Sequence, residues 1–304
     1  MTSMAEHSST SADGSEPAKA STAVVIDLDK VEKTHLAGEG NFLWKVPYDD
    51  AFIVVKIYYG TRGRFVDAKK TLTNLLFQDR SSAMPWGRFR TERDSFLAWE
   101  HYGFRCFRRL EHIHIAGLPA DGYVVMEYLP GLHFREYFKD ESIPFEQRMA
   151  LFRRWVREWH RRHQICVEQG HNLLHHENFD VKHVMIVGDE FLYFDFEVAL
   201  TSRNMPDLVG REILAFMRSV GKFFGEDIYW RMMRELLENY PDRDYLEAAR
   251  AHAFRNPRMH VRIGRNLESV LKPKHRKRFS KYQVARDLRK LLDNPDHQPQ
   301  GRAS

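Results

Sequence analysis

The apolar residues near the start of the chain alternate over strand lengths and then change to helical spacing. Residues 41–60, "NFLWKVPYDDAFIVVKIYYG", contain two apolar runs separated by "PYDD", which predicts a β-hairpin whose second strand carries Lys56. Residues 65–78 have apolar positions close to helical spacing, and a second helix is predicted from near Arg90 to around Gly103. The segment "YVVMEYLPG" then predicts a strand that runs into a Pro-Gly turn.

The second half of the chain has helical periodicity over most of its length. A long helix is predicted from Pro144 to about Val167, with apolar residues on one face and several arginines elsewhere. After a further hairpin, three helical patterns follow at 207–224, 227–240 and 242–255, with no strand-like alternation among them. Strands first and helices later predict an α+β fold with a small β-rich N-lobe and a helical C-lobe.

Composition fits a globular chain of 304 residues, with 43% hydrophobic and 13% aromatic residues. Residues 1–22 are small and polar and predict a disordered tail, not a secretion signal, so a cytoplasmic location is expected. The longest apolar runs have strand length and predict no membrane span. Cys106 and Cys166 lack metal-type spacing and are expected to be buried thiols. The lobes are predicted at 23–126 and 127–293, and residues 294–304 are predicted to form a second disordered tail.

Positive charge is concentrated near the C-terminus. Residues 272–290 hold nine Lys or Arg and one Asp, a net charge of +8 against +5 for the whole chain. Such a segment can bind phosphates of nucleic acid or of an anionic membrane surface, and the alternative is a solvated amphipathic helix end. Nucleic acid is not the expected partner, because interleaved aromatic residues, helix-turn-helix patterns and zinc spacings are not found.

Several polar residues stand in the order that kinase chemistry requires. Lys56 lies in "VVKI", Glu92 follows on a predicted helix, and "HHENFDVKHVMI" at 175–186 precedes "YFDFE". Taken singly, Lys56 could be a surface lysine on an edge strand, and Glu92 an ordinary first-turn glutamate favoured by the helix dipole. Asp195 follows apolar strand residues, where a carboxylate is costly unless it binds something. Their joint order favours a phosphotransferase.

Residues 35–240 resemble the lipopolysaccharide kinase family, the Kdo and heptose kinases of WaaP and InaA type. Glu92 lies eleven residues before Gly103, as in the helix of that family. His183 stands where protein kinases have a metal-binding Asn, and the "DFE" that begins at Asp195 is similar to the "DLE" of the family. The resemblance implies a two-lobed protein-kinase-like fold and transfer of phosphate from ATP to a sugar hydroxyl of the lipopolysaccharide inner core or a similar saccharide. It also implies peripheral contact with the inner membrane.

The resemblance further implies roles for individual residues of the nucleotide site. Lys56 would hold the α- and β-phosphates of ATP and pair with Glu92. Backbone groups of Glu127 and Leu129 would bind adenine. Further residues implied to line or cover the site are Met126 and the two glycines of "AGEGNF", Gly38 and Gly40.

The implied catalytic loop departs from the family at one position. His176 would be its structural histidine, and Asp195 would bind Mg²⁺, with His183 either coordinating the ion or orienting Asp195. Asn178 stands where the base aspartate is expected and cannot accept a proton, while Asp180 offers a carboxylate two residues later. The alternative function is therefore a pseudokinase that binds nucleotide or a partner as a switch or scaffold.

Overall fold

The N-terminal part of the chain is built on the predicted hairpin. The computed structural model describes residues 23–37, 41–59, 64–74, 80–254 and 278–294. Strands β1 (Val24–Ile26), β2 (Thr34–Ala37), β3 (Phe42–Tyr48), β4 (Ala51–Ile57), β5 (Ile113–Ile115) and β6 (Tyr123–Glu127) lie in this part. An antiparallel sheet has the order β2-β3-β4-β6, and β1 pairs with β5 in parallel. The hairpin prediction is confirmed, and β4 is an inner strand.

Two helices accompany this sheet, α1 (Arg64–Thr73) and α2 (Pro85–His101). The prediction that α2 begins near Arg90 is wrong, because Pro85 takes the first turn, where its missing N–H costs nothing. Glu92 therefore lies in the interior of the helix and is not a first-turn residue. The end was placed correctly, since Gly103 follows the helix at φ +74°. Residues 75–78 of the helix predicted at 65–78 lie outside the described part.

The C-terminal part is mainly helical and also holds a small antiparallel sheet. Its elements are β7 (Leu132–His133), α3 (Phe134–Lys139), α4 (Phe145–Glu168), a 3₁₀ turn (Asn172–Leu174), β8 (Val184–Val187), β9 (Glu190–Tyr193), α5 (Met205–Asn239), α6 (Arg243–Phe254) and α7 (Lys281–Asp293). Strands β7, β8 and β9 pair side by side, and β8–β9 is the predicted second hairpin. The α+β fold with a sheet-rich N-terminal part and a helical C-terminal part is confirmed, while the residue boundary between the lobes stays a prediction.

Helix α5 contains the two helices predicted at 207–224 and 227–240, which meet at a kink. Its residues form one run from Met205 to Asn239, with non-helical backbone angles at Gly225 (φ +85°, ψ −176°). A side chain at such a φ is strained, so glycine permits the kink there. The pause between the two apolar patterns thus marks a bend and not a loop.

The described part of the basic segment, 278–290, begins with Arg278 and continues into α7. Ser280 caps the helix by accepting a hydrogen bond from the Gln283 N–H, and the apolar side of α7 is buried. Arg278 forms an ion pair with the buried Asp287 at 2.7 Å. Within residues 278–290 the segment is therefore a packed amphipathic helix. Residues 272–277 lie outside the described part. Among the helices of the described ranges, none is both long and apolar enough to cross a bilayer.

The larger core lies around α4 and α5 and contains a buried ion pair. The predicted apolar face of α4 is buried, including Trp155 and Trp159. Arg162, on the same helix, is fully buried as well and pairs with Glu212 of α5. Trp159 Nε1 donates to Glu212 Oε1 at 2.6 Å, and the His176 N–H donates to Glu212 Oε2 at 2.8 Å. Glu212 therefore ties α4, α5 and the loop that begins at His176.

Arg162 holds the Glu212 carboxylate in its charged form. Burial alone would raise the pKa of Glu212, but Arg162, followed by His163, outweighs it and keeps that pKa well below the ordinary value. Such a pair contributes little net stability when intact, yet removing one partner leaves an uncompensated charge in the core.

Replacing Glu212 by Ala is expected to lower the free energy of unfolding by about 3–5 kcal/mol, because the Arg162 guanidinium would stay buried without its partner. Urea denaturation followed by circular dichroism measures this loss. The matched control is Glu146→Ala, whose side chain is 69% exposed and pairs with Arg153 and Arg231. The control is expected to cost no more than about 1 kcal/mol. Equal losses for the two variants would contradict a structural role for Glu212.

Candidate active site

Lys56 lies on β4 between β3 and β6 with only 5% of its surface exposed. Its ammonium is 2.7 Å from Glu92 Oε2, so β4 and α2 are joined by an ion pair. The two alternatives raised by the sequence, a surface lysine and a first-turn glutamate, do not describe these residues. A buried ammonium must be paired, and Glu92 is one of its partners.

Two further carboxylates lie against the same ammonium. Asp195 Oδ1 is 3.3 Å and Glu197 Oε1 is 3.0 Å from Lys56 Nζ. Burial alone would lower the pKa of Lys56, but Glu197, Glu92 and Asp195 together raise it well above its ordinary value. Lys56 is therefore charged at any physiological pH. Burial raises the pKa of Glu92, with Lys56 opposing that rise.

The predicted site omitted Glu197, and three other residues hold that carboxylate or Glu92 in place. Arg88, one helical turn before Glu92 on α2, lies 3.3 Å from Glu197 Oε2 and donates to the Tyr58 carbonyl at 2.6 Å. Asn41 donates to Glu197 and accepts from Arg88. The Tyr58 hydroxyl donates to Glu92. The only sequence signal for Glu197 is an acidic residue directly after "FDF", where protein kinases have glycine.

Asp195 has an unusual backbone conformation, at φ +71°. This left-handed region is uncommon for residues other than glycine. Burial would raise the pKa of Asp195, but Lys56, followed by His183, lowers it far below its ordinary value. The Asp195 carboxylate is therefore ionised and directed at the two groups that stabilise its charge.

His183 faces Asp195 with a defined tautomer. Its Nδ1 is 2.7 Å from the Asn178 carbonyl, which can only accept, so Nδ1 carries a proton. Its Nε2 lies 3.4 Å from Asp195 Oδ2. In neutral imidazole this nitrogen presents a lone pair to the carboxylate, which is repulsive. A proton or a cation between Nε2 and Oδ2 relieves that repulsion.

These residues fit a magnesium ion only in part. Asp195 supplies the carboxylate oxygen that Mg²⁺ prefers, while an imidazole is a poorer ligand. In the described part of the chain, no group of three or more His, Cys, Asp or Glu side chains is arranged to hold a metal.

The loop that carries Asn178 is fixed by backbone contacts. His176 Nε2 donates to the Phe194 carbonyl at 2.9 Å, and its ring stacks on His183 with centroids 5.3 Å apart. The Asn178 side chain is exposed. Asp180 Oδ1 accepts the Lys182 N–H at 2.7 Å and lies 3.6 Å from His183 Nδ1. The His176 ring is thus held by a backbone carbonyl, and the Asp180 carboxylate is engaged within its own loop.

A cleft of about 680 Å³ brings most of the predicted nucleotide residues together. Clefts that bind small ligands commonly have this size. Its lining contains Lys56, Glu92, Met126, Glu127, Leu129, His183 and Asp195, with Leu43 and Val54 among the apolar residues. Asn178, Asp180 and His176 do not contribute to that lining. Gly38 and Gly40 lie outside the described residues, so their predicted role stays a prediction.

Glu127 is held at the edge of this cleft by two contacts with Arg108. Its N–H donates to the Arg108 carbonyl at 3.0 Å, and its Oε1 accepts the Arg108 N–H at 2.9 Å. These bonds fix the end of β6 next to Leu129. The adenine-binding roles of Glu127, Leu129 and Met126 remain predictions.

Comparisons with known proteins concern the shape of the chain. No protein-family model matches the sequence, and no curated protein matches it. The structure is similar to that of WaaP in complex with acyl carrier protein, at 13% identity, with 86% of this chain and 90% of that chain covered and a TM-score of 0.41.

Two other solved structures are also similar. A putative fructosamine-3-kinase from Haemophilus somnus 129PT has 12% identity and a TM-score of 0.35, with 84% of this chain and 90% of that chain covered. The apo form of a pseudokinase has 15% identity and a TM-score of 0.40, with 89% and 97% covered.

The buried histidines predict how stability depends on pH. Burial lowers the pKa of His163 and His176 to about 4 and that of His175 to about 3. In the unfolded chain these three histidines bind protons below about pH 6.5, whereas in the folded chain they stay neutral until the pH approaches 4. Stability is thus at its full value above pH 6.5 and is expected to fall toward pH 4, by about 1.4 kcal/mol per pH unit for each histidine.

Urea denaturation at a series of pH values measures this slope. The variant His163→Gln is expected to reduce this slope by the contribution of one titrating histidine, about 1.4 kcal/mol per pH unit, whatever its effect on absolute stability. The exposed His101, replaced by Gln, is the control and is expected to leave the slope unchanged. A flat profile between pH 6.5 and 4 for the wild type would contradict neutral buried histidines.

Proposed function

We propose that this protein is an ATP-dependent kinase-like phosphotransferase that acts on a sugar hydroxyl of a saccharide such as the lipopolysaccharide inner core. The observation that carries the proposal is the Lys56 ammonium, buried at the wall of a nucleotide-sized cleft, paired with Glu92 and adjacent to Asp195. Kinase chemistry requires this lysine–glutamate pair and the metal-binding aspartate to be in place together.

Each residue has a definite task in the proposed reaction. Lys56 would bind the α- and β-phosphates, and Glu92 would keep its ammonium in position. The apolar side chains of Leu43, Val54 and Met126 would enclose the adenine ring. Glu127 and Leu129 would offer backbone groups to the edge of that ring, as the family resemblance implies.

The charge of the site makes nucleotide binding depend on magnesium. Lys56 and Arg88 supply two positive charges, while Glu92, Asp195 and Glu197 supply three negative ones. An excess negative charge repels the phosphates of ATP. Asp195 would hold Mg²⁺, and His183 would either coordinate the ion or orient the carboxylate. Bound Mg²⁺ would supply neutralisation of the phosphate charge.

Asn178 favours a second candidate function, the pseudokinase. An amide cannot accept the proton of the acceptor hydroxyl, and Asp180 is already bonded to the Lys182 N–H. The loss of a general base is bounded at ~10²–10⁴-fold, because positioning and charge stabilisation carry most of phosphoryl transfer. We therefore place slow catalysis first and nucleotide binding without turnover second.

The sugar acceptor, the cytoplasmic location and contact with the inner membrane rest on the sequence. The acceptor follows from the motif resemblance. A peripheral contact would use the positive charge of residues 272–290, and exposed side chains of that segment include Arg286, Arg289 and Lys290.

ATP with Mg²⁺ is expected to raise the melting temperature, because binding to the folded state stabilises it by about 2.7 kcal/mol at one hundred times the Kd. Differential scanning fluorimetry measures the shift, with ATP alone expected to give much less. Asp195→Asn is expected to abolish the shift. The control, Asp189→Asn, changes a side chain that is 97% exposed and should keep the full shift. A folded protein with no shift at millimolar MgATP would refute nucleotide binding.

Replacing Asn178 by Asp is expected to raise turnover on a sugar acceptor by up to ~10²-fold, because a carboxylate restores a proton acceptor. The exposed position should accept the change, and nucleotide affinity should stay the same. Transfer from labelled ATP to purified inner-core lipopolysaccharide measures the effect.

The partner variant Asp180→Asn separates the two candidate bases. If Asp180 already accepts the proton, this variant silences the natural protein and Asn178→Asp adds little. If the wild type and both variants show no turnover while MgATP still binds, the pseudokinase function is the correct one.

A further inference from the structure

Two cations converge on one aromatic ring beside the Asn178 loop. The Lys182 ammonium lies 5.0 Å and the Arg135 guanidinium carbon 5.6 Å from the centre of the Phe223 ring. Both distances are within cation–π range, so the two positive charges are held near the same point. We call Arg135, Lys182 and Phe223 the basic-aromatic patch.

Backbone contacts attach this patch to the loop. Lys182 is four residues after Asn178, and its carbonyl is 3.0 Å from His133 Nδ1. The Arg135 N–H donates to the Val181 carbonyl at 3.0 Å. Lys182 and His133 also line the cleft. The patch therefore begins where the cleft meets the loop, on the side where an acceptor would approach.

Helix α5 sets the position of the ring. Phe223 precedes the kink at Gly225, and its neighbour Phe224 packs against Phe138 of α3 with centroids 5.7 Å apart. The packing of α5 against α3 and the core, in which Phe223 is partly buried, thus sets the position of the ring.

The nearby carboxylates leave the patch positive. Lys182 is exposed, and within the described ranges no carboxylate lies within ion-pair distance of its ammonium. Glu136 is 3.5 Å from Arg135, but the two side chains are 46% and 34% exposed, so water weakens that pair. Asp180 accepts from the Lys182 backbone and faces His183, and Asp195 is paired with Lys56.

We propose that the basic-aromatic patch binds an anionic group, a phosphate or a carboxylate, carried by the saccharide acceptor. The Arg135 guanidinium can bind two oxygens of such a group, Lys182 adds a point charge, and the Phe223 ring offers an apolar surface to a sugar face. The inference deepens the proposed function and rests on it for the word acceptor. The anion site itself can be measured without nucleotide.

The test is isothermal titration calorimetry of the full-length chain at low ionic strength, with glucose 6-phosphate against glucose and galacturonate against galactose. The anionic sugars are expected to bind and their neutral counterparts to bind at least tenfold more weakly. Arg135→Gln and Lys182→Gln should each weaken anionic binding about tenfold. Glu136→Gln should strengthen it. The matched control is Lys139→Gln, an exposed cation on the same helix α3, which should change nothing.

Several results would overturn the anion site. They are equal binding of neutral and anionic sugars, no binding by the wild type at tens of millimolar, or equal losses in Lys139→Gln and Lys182→Gln. Selective binding of a phosphopeptide in place of the sugars would overturn it as well. If MgATP fails to bind while the anionic sugars bind through Arg135 and Lys182, the phosphotransferase proposal fails and the site stands.

Discussion

The buried ammonium of Lys56 is the constraint on which the rest of the site depends. A lysine at 5% exposure is stable only among negative groups, and the three that surround it come from two distant parts of the chain. Glu92 comes from α2, while Asp195 and Glu197 follow β9. To satisfy one charge, the N-terminal sheet, helix α2 and the turn after β9 must therefore meet. The geometry of the cleft follows from that meeting.

A second buried charge performs a similar task beneath the loop. Glu212 accepts from the His176 N–H and pairs with Arg162, so the start of the loop is fixed to the helical core. His176 then reaches the Phe194 carbonyl, next to Asp195. The candidate site is thus held between two charge networks, one centred on Lys56 and one on Glu212. Since both networks are desolvated, small displacements in either are costly.

The sequence predicted elements whose signal is local. The β3–β4 hairpin and the apolar face of α4 appear within short windows, where periodicity is sufficient, and Lys56, Glu92 and Asp195 each lie in a short motif of their own. The start of α2 was placed too late because a proline in the sequence can belong either to a loop or to the first turn of a helix, and Pro85 belongs to the first turn. The two helical patterns at 207–224 and 227–240 correspond to the two arms of α5, because the backbone is non-helical at Gly225 between them.

The missed residues depend on distant partners. Asn41, Arg88 and Glu197 come together from positions up to 156 residues apart, and no window contains more than one of them. Arg162 lies among several arginines of α4, and only the packing distinguishes the buried one from the others. Such roles belong to tertiary contacts and leave no periodic trace in a single sequence.

The left-handed backbone at Asp195 has a mechanical consequence. A non-glycine residue in that conformation costs about 1–3 kcal/mol, which its surroundings must offset. The attraction to Lys56 offsets this cost, so the turn is held by charge against the preference of its own backbone. Backbone strain and electrostatic attraction therefore oppose each other in this turn. An anion in the cleft that attracts Lys56 weakens the attraction between Lys56 and Asp195, so the conformation of the turn after β9 depends on what occupies the cleft.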